Sequence, residues 1–239
     1  MKKDFELSKN DALIIVDVQR DFCPGGALPV PAGDQVVPVL NDYIKMFKKA
    51  NAGIFATRDW HPPNHMSFKA YGGPWPPHCI QNSEGAKFYP DLKLPDDASI
   101  ISKAMDPSKE SYSGFDGTML GDKLKDKGVT RVFVGGLATD YCVKNTVLDA
   151  IALGFGTVLL LDATRGIDVK LGDVEKAIGE MVAKGAERAT LADFPEFPEI
   201  PQEEQGAERM EEKPLTKAEK KKKARLRSRG PYRKARIER

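Results

Sequence analysis

The chain has three histidines, His61, His65 and His78, and all fall in one stretch, DWHPPNHMSFKAYGGPWPPHC, residues 59–79. Asp59 opens it. The pattern Asp59-x-His61-x3-His65-x12-His78 offers one carboxylate and three imidazoles. That oxygen and nitrogen donor set suits a single divalent ion, Zn²⁺, Fe²⁺ or Mn²⁺. One histidine in a loop is ordinarily a solvated side chain; three beside an aspartate read as ligands. Pro62, Pro63, Pro74, Pro76 and Pro77 stiffen the stretch and reduce the entropy lost on ordering it.

A second chemistry is open to a thiol. Cys142 follows Gly135–Gly136–Leu137–Ala138–Thr139–Asp140–Tyr141 and stands where an apolar run gives way to a helical pattern. Thr139 or Asp140 would cap that helix. A cysteine in the first turn feels the positive end of the helix dipole, which favours thiolate. The competing reading is a small buried apolar residue, the usual fate of a free cysteine, and it weighs more for Cys23 and Cys79. A thiol nucleophile needs a base. Either the histidine stretch supplies it, or Asp17 does, since burial raises a carboxylate's proton affinity. Lys103 would then hold the carboxylate and compensate its charge.

These residues gain meaning from the elements around them. Short apolar runs occur at Ala12–Val16, Ile54–Thr57, Ile100–Ser102, Arg131–Val134 and Thr157–Leu161, with a weaker sixth at Arg188–Leu191. Most lack polar alternation, as strands buried on both faces do. Helical spacing lies between them: Val36, Val37, Leu40, Ile44 and Phe47; residues 117–127 up to Gly128; Val143, Val147, Leu148 and Ile151 up to Gly154; and Val174, Ala177, Ile178, Met181 and Val182 up to Gly185. The alternation predicts an α/β fold, three-layered αβα, with a mostly parallel sheet of five to six strands. In such sheets ligands bind beyond the carboxyl ends of the strands. Asp17, Asp59 with His61, Lys103, and the 135–142 segment each come directly after a run, so they are expected to converge. The connection from Asp59 to about Ser99 far exceeds the usual length of about 4–6 residues, and a long ordered loop ordinarily has a functional reason.

Composition sets bounds. With 41% hydrophobic residues the 239-residue chain can bury a core. No run reaches the roughly 18 apolar residues of a membrane span, and MKKDFELSKND lacks a signal-peptide core, so no membrane partner and a cytoplasmic location are expected. Three cysteines do not suggest a disulfide framework. The net charge of +2 is uneven: residues 214–239 hold 12 Lys or Arg against 2 Glu, which leaves −8 on residues 1–213. The expected division is a catalytic domain over 1–194 and a disordered extension over 195–239, rich in Pro and Glu and then in Lys and Arg. The basic tail could serve as a nucleic-acid or anionic-partner module.

Four segments, IIVDVQRDFCPGGAL (14–28), TRDWHPPNHMSF (57–68), GGPWPPHC (72–79) with IISKAMDP (100–107), and GLATDYCV (136–143), together resemble nicotinamidases, also called pyrazinamidases, of the isochorismatase-like cysteine hydrolase superfamily. The resemblance covers about residues 11–193 in order. It implies a catalytic triad of Asp17, Lys103 and Cys142, and metal ligands at Asp59, His61 and His78, with His65 where the family's variable fourth ligand falls. It implies an oxyanion hole from the backbone N–H groups of Ala138 and Cys142, with a cis peptide at Leu137–Ala138. Phe22 and Trp75 match residues that sandwich the substrate ring, and Tyr112 a pocket-lining aromatic. The implied activity is hydrolysis of nicotinamide, or pyrazinamide, through a cysteine thioester, in NAD salvage; a homo-oligomer stays open. An N-carbamoyl or ureido amidohydrolase of the same superfamily is the alternative, disfavoured because those relatives generally lack the aspartate–histidine metal set.

Overall fold

A computed structural model describes residues 5–195. The extension and its basic tail therefore lie outside the described residues, apart from Pro195. Six strands, β1 (Asp11–Val16), β2 (Gly53–Asp59), β3 (Ser99–Lys103), β4 (Arg131–Leu137), β5 (Gly156–Arg165) and β6 (Glu187–Ala189), form one sheet in the order β3-β2-β1-β4-β5-β6. Every neighbouring pair is parallel. Each expected strand is present. The sixth ends at Ala189, because Leu191 enters a 3₁₀ turn, Leu191–Asp193, closed by reciprocal bonds between Thr190 and Asp193.

Four helices cover the sheet: α1 (Val36–Lys49), α2 (Leu120–Asp126), α3 (Lys144–Ala152) and α4 (Asp173–Ala183). All six residues of β1 are buried. Leu13 and Ile15 pack in one cluster with Val36, Val37, Leu40 and Phe47 of α1. Ala12, Ile14 and Val16 pack in the other with Leu120, Leu124 and Val147 from α2 and α3. That two-sided burial explains the missing polar alternation, and each fully buried Leu or Ile contributes about 1.5–3 kcal/mol. The α4 stripe is narrower than its spacing predicts: Ala177 and Met181 are buried, whereas Val182 is 39% exposed. Among the described residues, no helix is long and apolar enough to cross a membrane.

The sheet order reverses between β1 and β4. The chain leaves β1 toward α1 on one face and leaves β4 toward α3 on the other, which opens a crevice at their carboxyl ends. The long connection after β2 lies over this edge. It contains a 3₁₀ turn, Lys69–Tyr71, and is held by single bridges, His61 with Ile80, Phe68 with Trp75, and Gln19 with Phe88.

Candidate active site

Three strand ends deliver one buried ionic cluster. Asp17 leaves β1 with φ +49°, a left-handed conformation that turns its carboxylate into the crevice wall instead of along the strand. Thr57 of β2 donates to Asp17 Oδ1 at 2.6 Å. Asp59 and Lys103, the last residues of β2 and β3, pair in register. Lys103 Nζ lies 3.0 Å from Asp17 Oδ2 and 2.5 Å from Asp59 Oδ1, and it donates to Ser111 O at 3.2 Å and toward Cys142 Sγ at 3.4 Å. One ammonium therefore serves two carboxylates and faces the thiol. Burial works against its charge, yet Asp17 and Asp59 overcome that and hold Lys103 protonated, well above the ordinary lysine range. Burial pushes Asp17 up, with Lys103 opposing and Asp59 assisting. Asp59 goes the other way: burial favours its neutral form, but Lys103 and then His61 hold it below the ordinary carboxylate range.

Cys142 sits in a turn of π-helix, Thr139–Val143, that runs directly into α3. The expected capping by Thr139 or Asp140 is replaced by other bonds. The Thr139 hydroxyl meets Thr164 Oγ1 at 2.7 Å, and Asp140 accepts from the N–H groups of Ile167 and Asp168 at 3.0 and 2.9 Å. Gly136 has φ +121°, and a Cβ there would fall 2.1 Å from Val16 O, so only glycine lets β4 pass β1 at this height. The Leu137–Ala138 peptide is cis. The thiolate expected from the helix position gives way to a protonated thiol: burial raises Cys142 well above the ordinary range, Lys103 opposes, and Asp17 and Asp59 add to the rise. The side chain is 6% exposed. A buried thiol beside a carboxylate of raised proton affinity can pass its proton over a short path.

The histidine stretch brings a second cluster against the first. Ligand atoms of Asp59, His61 and His78 lie within 4.8 Å of one another, all buried. His78 Nδ1–H donates to Pro76 O at 2.8 Å, which leaves Nε2 as a free lone pair. Burial, opposed by Asp59, lowers the His78 pKa and keeps the ring neutral, as a ligand must be. Both ring nitrogens of His61 are buried without a hydrogen-bond partner, and Nε2 is 3.6 Å from Asp59 Oδ2. Orphaned buried nitrogens of this kind are rare unless something else binds them. The donor set fits a divalent ion. His65 lies beside the cluster, its ring 4.2 Å from that of His61, but its nitrogens are engaged otherwise. Nε2 donates to Lys109 O at 3.1 Å, and Nδ1 meets Ser67 Oγ at 2.8 Å.

The cavity above these groups, together with the open space at its mouth, spans about 420 Å³. Phe22, Trp75 and Tyr112 line it, together with Ala138, Asp59, His61, His78 and Cys142. Trp75 Nε1 donates to Tyr112 Oη at 3.2 Å. Tyr141, Ile167 and Glu110 also form its wall and were not among the residues singled out in the sequence. Ile167 lies just beyond β5, but the apolar run in the sequence ends at Leu161 whereas the strand continues to Arg165, so the strand-end rule would have pointed to Asp162 and missed it. Two wider concavities, of about 760 and 1000 Å³, lie toward the amino ends of the strands. Neither holds a cysteine or histidine.

With that geometry in view, similarity to known proteins becomes informative. The isochorismatase domain pattern matches residues 11–193. The chain belongs to the isochorismatase family. Within it, the chain is 42% identical over 204 residues to the nicotinamidase of Escherichia coli (strain K12), covering 77% of this chain and 96% of that one. It is 55% identical to the pyrazinamidase of Pyrococcus horikoshii, solved in complex with zinc, with a TM-score of 0.73 over 76% of this chain and 99% of the other. A protein from L. infantum solved in complex with nicotinate is 35% identical, with a TM-score of 0.75 over 80% and 98% of the two chains.

Proposed function

We propose that this isochorismatase-family protein is a nicotinamidase: it hydrolyses nicotinamide, and pyrazinamide, to the carboxylic acid and ammonia. The observation that carries the reading is the contact between the two clusters. Cys142 and the Asp59–His61–His78 set line one aromatic-walled cavity, Asp17 and Lys103 stand buried behind the thiol, and the two sets are joined by the Lys103–Asp59 ion pair. The nicotinamidase and pyrazinamidase relatives support the same substrate class.

A divalent ion held by Asp59, His61 and His78, Zn²⁺ by preference over Fe²⁺ or Mn²⁺, would supply a Lewis-acidic position for the ring nitrogen and so fix the ring. His65 completes the set only if it gives up its bonds to Ser67 and Lys109. Phe22 and Trp75 hold the ring faces, and Tyr112, bonded to Trp75, lines the pocket. Asp17 takes the thiol proton as Cys142 Sγ attacks the carboxamide carbon. Backbone N–H groups of Ala138 and Cys142 receive the oxyanion; a donor so placed is worth about 3–4 kcal/mol. Asp17 returns the proton to the departing ammonia and leaves a thioester. A water then gives a proton to Asp17 and attacks the thioester carbonyl; the C–S bond breaks, Asp17 returns that proton to Cys142 Sγ, and the acid and the thiol are freed. Lys103 keeps its proton throughout and steadies the charge on Asp17.

The test is ammonia release from nicotinamide and pyrazinamide by metal-stripped and zinc-reconstituted protein. Zinc should restore activity, and Cys142→Ala should lower turnover about 10³-fold or more. Unchanged turnover in that variant would refute the thioester route. Faster turnover of an N-carbamoyl substrate than of nicotinamide would move the reading to the ureido branch.

A further inference from the structure

Two polar residues outside the cavity hold the backbone at one proposed metal ligand, Asp59, and at the residue next to another, Cys79. Gln19 lies two residues beyond Asp17 and is fully buried. Its carboxamide meets the peptide groups of Asp59 on both sides. The Asp59 N–H donates to Oε1 at 2.7 Å, while Nε2 donates to Asp59 O at 2.8 Å and to Ala86 O at 2.9 Å. At this height β1 no longer runs beside β2: their pairing ends at Ile15 with Ala56, whereas β3 still pairs with Asp59 on the other edge. The Gln19 amide thus stands where β1 would have continued and satisfies the exposed edge of a ligand-bearing residue. A buried backbone pair left unbonded there would carry a desolvation cost.

Asp21 does the same for the far end of the histidine stretch. Its Oδ2 accepts the Cys79 N–H at 2.7 Å, and its Oδ1 accepts that of Ala27 at 3.2 Å. Cys79 directly follows His78 and has φ +45°, which a side-chain-bearing residue adopts only under constraint. The same residue's carbonyl accepts the His61 N–H at 3.0 Å, and His61 O accepts from Gln81 at 2.8 Å. One carboxylate therefore pins the residue that joins His78 to His61. Gly85 packs so closely that a Cβ would fall 2.1 Å from Asp21 Oδ2, which leaves the carboxylate little freedom.

We propose that Gln19 and Asp21 are positioning residues for the metal centre, a two-point clamp by which the loop after β1 fixes Asp59 at one end of the histidine stretch and His78 at the other. This rests on the metal reading above. Neither residue lines the cavity, so the clamp acts through the ligands alone. Asn41 provides a natural control. Its side chain anchors the same long connection at Asp91 and Lys93, with bonds of 2.9 and 2.8 Å, and involves no ligand.

The experiment measures zinc affinity of the full chain by chelator competition, with the absorption spectrum of the Co²⁺-loaded protein as a record of ligand geometry. Gln19→Glu keeps the acceptor and loses both donors; it should bind zinc about 10–100-fold more weakly. Asp21→Asn keeps one acceptor and should lose about tenfold. Both should alter the Co²⁺ spectrum. Asn41→Ala should lower the melting temperature and leave affinity and spectrum as in the wild type. Affinities of Gln19→Glu and Asp21→Asn within about threefold of wild type would overturn the clamp, as would an equal loss in Asn41→Ala. Should Gln19→Glu fail to fold, Asp21→Asn decides alone. A wild-type chain that binds no zinc would bring down the metal reading itself, and the clamp with it.

Discussion

The two halves of the site are built by different means. Asp17, Asp59 and Lys103 stand at the ends of adjacent parallel strands, so the sheet's own hydrogen bonds fix their spacing. His61 and His78 stand on a long connection with almost no regular structure, held by single bridges and, at Cys79, by the Asp21 carboxylate from a neighbouring loop. A strand end arrives at its place because the whole strand does. A loop ligand arrives only if each local bond is made. The halves meet at Lys103 and Asp59, where one ammonium is shared.

The strongest way to break this comparison is to remove the shared group. Lys103→Met leaves two buried carboxylates without their cation, and we expect a loss of about 3–5 kcal/mol in urea unfolding together with loss of turnover. A stability change below about 1 kcal/mol would mean that the two halves do not depend on one common charge. The loop half can then be dissected. His78→Ala should weaken zinc binding about 100-fold or more, since it deletes a proposed ligand, while His65→Ala should cost about tenfold or less because its nitrogens already serve Ser67 and Lys109. Equal losses in isothermal titration would place His65 among the ligands.

An effect confined to alkaline pH isolates burial from the strand-end charges. Cys23 is fully buried, and burial, with Asp34 adding to it, pushes its thiol up to about 12. In the unfolded chain the same thiol ionises near its ordinary value of 9.0. The protonated folded form is thus fully stabilising below that value, and this contribution is lost as pH rises from there toward about 12. The urea midpoint should fall across that window, and Cys23→Ala should relieve the fall by up to about 1.4 kcal/mol per pH unit. An identical alkaline slope in the variant would show that this thiol does not contribute to the loss, and that burial alone is a poor model for what Lys103 and Asp17 do to Cys142.

Much of the strand-built half is legible in the sequence, and less of the loop-built half. Runs such as ALIIV and TVLLL mark buried parallel strands, and the residues just past each run must reach the carboxyl edge. Asp17, Lys103 and Cys142 are therefore identifiable as neighbours from the chain alone. The Gln19 amide is not, because nothing in its type or spacing says that β1 stops short of Asp59 and leaves a peptide edge to be covered. Tyr141 gives no signal beyond standing next to Cys142. The protonated state of Cys142 runs against the sequence expectation for a related reason: a helix dipole is a local property, whereas burial and the two nearby carboxylates come from other strands.

The sequence by itself determined the elements, the edge at which the chemistry gathers and the residue types available there, since hydrophobic period and strand-end position are local properties of the chain. The tertiary structure alone decided the strand order, the sharing of Lys103 between Asp17 and Asp59, and the bond of His65 to the Lys109 carbonyl. Those outcomes depend on distances between segments that are 40 or more residues apart. Packing and desolvation set such distances, and no single stretch of sequence contains them.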